Sequence, residues 1–172
     1  MERRNLEEIK ADVTLAGQML TKALRGISRL TEEHINSLPR TGLMGNADEA
    51  SVKKSVPRHY RFIQGIDKAL ADVGEQRSAL LTVSEKLDEL SSEAEFDVVD
   101  ELTCVGRMVF EMLKKIEEIE KMSGRFLGAL DRASDVTGKG ENADFQSAGR
   151  ICREYFEFVA NTGVYIDNLK IF

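Results

Sequence analysis

Apolar residues recur along this chain at alternating steps of three and four, the spacing that lays a stripe down one face of a helix. In the first stretch Leu6, Val13, Leu20 and Ile27 return every seven residues, with Ile9, Ala16, Ala23 and Leu30 between them. Asn5 with Glu8 three residues on resembles a capping box, and Pro39 stops the run, so the pattern predicts a first helix over 5–38. Gly42, Gly45 and Asn46 mark a loop, with Asn46 and Glu49 offering the next cap. A second helix is predicted over 47–91, broken at Pro57, with Ile63, Ile66, Leu70, Val73, Leu80, Leu87 and Leu90 on its stripe. Arg77 and Ser84 interrupt that stripe where apolar side chains would complete it.

Ser92 and Glu95 form a start signal for a third helix over 93–137, which carries Val99, Leu102, Val109, Leu113, Ile116, Leu127 and Leu130. Val105, Met112, Ile119 and Phe126 widen its apolar face, which predicts that this helix is the most buried. Gly138 and Gly140 end it. Asn142 is placed to cap a fourth helix over 142–171, whose stripe runs through Ala148, Cys152, Tyr155, Val159, Thr162, Ile166 and Leu169. Short turns force helices two, three and four into antiparallel neighbours. The expectation is an all-α, elongated antiparallel up-down four-helix bundle forming a single domain over 1–172.

Composition agrees with long solvated helices: 2 Pro, no Trp and 31% charged residues, beside 42% hydrophobic. No stretch approaches the roughly 18 to 20 apolar residues of a membrane span, and the start of the chain leads into an amphipathic helix, so a cytoplasmic location is expected. In an antiparallel bundle Cys152 levels with about residue 126. Cys104 then lies some 33 Å below it at the helical rise, too far for a disulfide.

Charge is unevenly placed. Residues 1–62 hold 11 Lys or Arg against 8 Asp or Glu, and residues 63–101 hold 3 against 11. The bundle path sends Arg40, Lys53, Lys54, Arg58 and Arg61 to one end and Glu85, Asp88, Glu89, Glu93, Glu95, Asp97, Asp100 and Glu101 to the other. Such a polar rod suits a protein partner or a second copy of the chain, through attraction that salt weakens. A pI near 5.1 and a small basic cluster, with only Tyr60 and Phe62 interleaved, argue against nucleic acid.

Three short motifs resemble known families. Leu38 to Gly42 spell LPRTG, similar to the sorting signal of sortase substrates, but 130 residues patterned as helix follow it in place of that family's apolar span and basic tail. Arg29 and His34 fit an Arg-x4-His pattern resembling that of HEPN ribonucleases, which would imply an RNA-directed function. Five residues of helix turn about 500°, however, leaving the two side chains some 140° apart. His59 is comparable with the exposed His of phosphotransfer bundles, although Arg58, Tyr60 and Arg61 around it do not resemble that family's sequence.

With 2 His in the chain, no multi-His metal site, Glu-x-x-His pair or Ser-His-acid set can be assembled, so no catalytic residue, cofactor or metal is expected. The reading that remains is a non-catalytic protein-interaction module, an adaptor, regulatory or accessory subunit. Its contact candidates are Arg40, Leu43, Met44, Lys53, Lys54, Arg58 and Arg61, the two apolar residues lying between glycines with no helix face to join. A second reading is a soluble sensor that takes a small anion between helices at Arg77 and Ser84.

Overall fold

The computed structural model describes residues 2–38, 49–93, 98–134 and 144–169. They form four helices: α1 (Glu2–Ser37), α2 (Glu49–Glu93), α3 (Val99–Ser134) and α4 (Phe145–Asn168). Each neighbour in chain order packs on the next, and α4 closes against α1, as an antiparallel up-down four-helix bundle requires. The stripes meet in one core, where Leu6, Val13, Leu20, Ile27, Ile66, Val73, Leu80, Val109, Ile116, Leu130, Val159 and Ile166 are buried.

The element boundaries differ from the sequence pattern in ways with local causes. No break occurs at Pro57, which lies inside α2. Pro57 brings no N–H to the helix, and its ring lies on the exposed face, where the missing donor costs least. Asn5 sits within α1 rather than at its cap, and Ser92 is still helical, its hydroxyl donating to the Glu89 carbonyl at 2.7 Å. Asp144 caps α4, its carboxylate accepting from the Ser147 amide at 2.9 Å. Asn142, Asn46, Gly138 and Gly140 lie outside the described residues.

The helix with the closest neighbours is α1, not α3. A small residue allows the approach of α2: a methyl group added to Gly65 would stand 3.0 Å from Leu30. Cys104 is half-buried and Cys152 is buried, both as free thiols, as the level argument requires. No described helix is long and apolar enough to cross a membrane.

Helix lengths make the two ends unlike. Asp167, one residue before the end of α4, pairs with Arg25 at 2.8 Å. The part of α1 before about residue 22 therefore runs on for roughly 30 Å with no described α4 residue beside it. There Lys10 of α1 reaches across to Glu101 of α3, a pairing between helices that are diagonal elsewhere.

Candidate functional site

The end of the bundle where α1 gives way to α2 holds polar groups that a plain core would not. One ring from each helix forms a layer across it. His34 of α1 stacks on Phe62 of α2 (4.2 Å between centroids, 3° between planes), and Phe62 meets the edge of Phe126 of α3 at 6.0 Å. Phe126 in turn stacks on Tyr155 of α4 at 3.9 Å. The Tyr155 hydroxyl is hydrogen-bonded to Ser123 at 2.6 Å, and burial pushes this phenol up to about 12.

Beside the layer lie the two histidines of the chain. His34 is 5% exposed and His59 4%, with ring centroids 5.7 Å apart. The His59 Nε2–H donates to Asp131 Oδ1 at 3.2 Å; a carboxylate only accepts, so the neutral ring carries its lone pair on Nδ1. That Nδ1 and the Nε2 of His34 are buried without a hydrogen-bond partner among the described residues. Burial first, and the neighbouring His59 second, lower His34 to about 4, which leaves it neutral at physiological pH.

Over His34 opens a cleft of about 220 Å³, lined by Leu30, Glu33, His34 and Ser37 from α1 and by Arg58, Arg61 and Phe62 from α2. Arg58 and Arg61 are exposed and make no ion pair among the described residues. Glu33 is engaged by Arg29 at 3.7 Å, and the Ser37 hydroxyl donates to the His34 carbonyl at 2.8 Å. In two larger clefts the basic side chains are already paired. In that between α1 and α4 Arg25 pairs with Asp167, and in that near Asn5 and Leu90 Lys86 pairs with Asp12 at 3.2 Å.

The residues singled out in the sequence fall in different places. Arg58 and Arg61 share the cleft; Lys53 and Lys54 are exposed one turn earlier on α2. Arg40, Leu43 and Met44 lie outside the described residues. Arg77 points outward, its guanidinium 3.1 Å from Glu120, and half-buried Ser84 sits on the order of 10 Å further along the axis, so the two do not converge. Arg29 is exposed whereas His34 is buried, and they do not converge either. Of the two aromatics beside the basic cluster, Tyr60 is 52% exposed and Phe62 belongs to the core.

Sequence pattern alone did not pair the histidines or find the Phe62 and Tyr155 contacts. The signal was present: His59 lies seven residues before Ile66 and three before Phe62, on the α2 stripe. The break assigned to Pro57 hid it. Among the described residues no group of three His, Cys, Asp or Glu side chains is arranged to hold a metal ion. Comparison with family models, with curated proteins and with solved structures gave no match.

Proposed function

We propose that this chain is a non-catalytic interaction module, an adaptor or accessory subunit that holds an acidic segment of a partner protein at the basic end of its bundle. The observation that carries this reading is the pair of guanidinium groups, Arg58 and Arg61, without an ion pair among the described residues, at a cleft that Leu30, Phe62 and the His34 ring line together with Glu33 and Ser37. An extended acidic segment finds there charge for its carboxylates and apolar surface for its side chains. Support for binding over chemistry comes from the groups a reaction would use: Cys152 is buried with its thiol pushed up to about 12, and no hydroxyl is bonded to either imidazole among the described residues.

The sensor reading finds more support at this cleft than at Arg77 and Ser84, because Arg77 already has Glu120. A second copy of the chain, offering its acidic end, is the competing occupant, and sedimentation at low and high salt separates it from a foreign partner. The direct test is co-purification of the full chain with its partner at about 0.05 M and about 0.5 M salt, beside the Arg58→Glu/Arg61→Glu variant. A stoichiometric protein held at low salt by the parent and lost from the variant supports the module. Equal retention by both rejects it.

A further inference from the structure

We infer that the cleft between α1 and α2 binds a phosphoryl group, gripped by the guanidinium groups of Arg58 and Arg61 and faced by His34 from the opposite helix. The inference rests on reading this end as the contact surface, and narrows the partner chemistry from acidic segment to one group.

Arg58 and Arg61 lie three residues apart on α2, which puts their β-carbons about 5 to 6 Å apart on one face, and both line the cleft. Each guanidinium is a planar fork of N–H donors, permanently charged. A single carboxylate satisfies one fork with its two oxygens. A phosphoryl dianion offers three oxygens and two charges, enough for both forks when they share one oxygen. The His34 ring lines the same cleft from α1, with its Nε2 turned away from solvent and without a hydrogen-bond partner among the described residues.

The other polar groups lining the cleft do not compete. The Ser37 hydroxyl is used by the His34 carbonyl, and Glu33, which also lines the cleft, is held by Arg29. The charge presented at the mouth therefore remains positive. A cleft of about 220 Å³ exceeds what a lone ion fills, so it has room for the group together with the atoms that carry it.

With 2 His in the chain, imidazole NMR of ¹⁵N-histidine-labelled protein gives a two-residue spectrum in which the site is read directly. Inorganic phosphate titrated at low ionic strength should shift the His34 signals along a saturable one-site curve. Arg58→Gln/Arg61→Gln, both exposed and with no core contact to lose, should weaken that binding about 100-fold, roughly tenfold for each charge-assisted fork. Arg150→Gln/Arg153→Gln, which removes exposed charge from the first turns of α4 at the same end, should change it less than about twofold. Acetate at equal concentration should give no saturable shift.

A peptide carrying phosphoserine, compared with its serine counterpart and with free phosphate, separates the sources: tighter binding of the phosphopeptide assigns the group to a partner chain, and equal binding of phosphate and phosphopeptide assigns it to the free ion. Absence of a saturable His34 shift, an equal effect of acetate, or equal losses in the two arginine pairs overturns the assignment. If phosphate fails while charge reversal at Arg58 and Arg61 still releases the protein partner, the phosphoryl inference alone falls. If phosphate binds while reversal leaves the partner bound, the interaction reading alone falls.

Discussion

At the acidic end of the bundle Leu6, Ile9, Val13, Leu87, Leu90 and Leu102 close on one another with no buried polar side chain among them. At the basic end the same kind of stripe carries His34, His59, Phe62, Ser123, Phe126 and Tyr155, six side chains that bring rings, hydroxyls and three titratable groups into the interior. The charges outside are opposed as well: Glu7, Glu101 and Asp12 surround Lys10 and Lys86 at one end, whereas Arg58 and Arg61 at the other make no ion pair among the described residues. One heptad pattern thus produces two interiors of different kinds. Aliphatic packing needs only volume and is insensitive to conditions; the ring layer depends on orientation, hydrogen bonds and protonation.

Truncation should expose the difference most strongly. Phe126→Ala removes the ring shared by Phe62 and Tyr155 and should cost about 3 to 5 kcal/mol in urea unfolding. Leu20→Ala in the aliphatic region should cost about 2 to 5. If both losses are the same at pH 7 and at pH 5, the ring end has no special dependence on protonation and the contrast collapses.

Acid should then distinguish the ends without any mutation. An unfolded His takes its proton near 6.5, whereas His34 in the fold takes it only near 4. Between these values the unfolded chain holds more protons, so stability contributed by neutral His34 is complete above about pH 6.5 and is lost as pH falls toward 4, by about 3 kcal/mol. Urea melts across that window should show the slope, and His34→Phe, which keeps a ring against Phe62, should flatten it. An unchanged slope in the variant would assign acid sensitivity elsewhere.

A smaller effect is expected at the hydroxyl pair. Ser123→Ala leaves the Tyr155 hydroxyl buried without a partner and should cost about 1 to 3 kcal/mol. Adding Tyr155→Phe should recover much of that loss, because the pair is then removed together; a fully additive double variant would deny the coupling. The smallest change belongs to the acidic end, where both members of the Lys86–Asp12 pair are half exposed. Lys86→Gln should move stability by less than about 1 kcal/mol, and by less still in high salt.

The fold was legible because burial repeats: Leu6, Val13, Leu20 and Ile27 announce a helix face without reference to anything far away in sequence. What pairs across helices is not periodic. That His34 meets His59, and that Phe126 lies between Phe62 and Tyr155, depends on register between helices, which the turns set only to within a few residues. Proline misled for a related reason: its cost depends on whether its ring falls on the exposed or the buried face, and that is set by the neighbouring helices rather than by the local sequence. Arg58 and Arg61 were legible as basic residues, but their value as a pair comes from the cleft that α1 builds opposite them.

The brevity of α4 bears on how the molecule opens. Its 24 residues cover only part of the 36-residue α1 and stop beside Arg25. Amide hydrogens in the first five turns of α1 should accordingly exchange with deuterium ahead of those around Ile27 and Thr31, so that fraying starts among the aliphatic side chains and reaches the rings last.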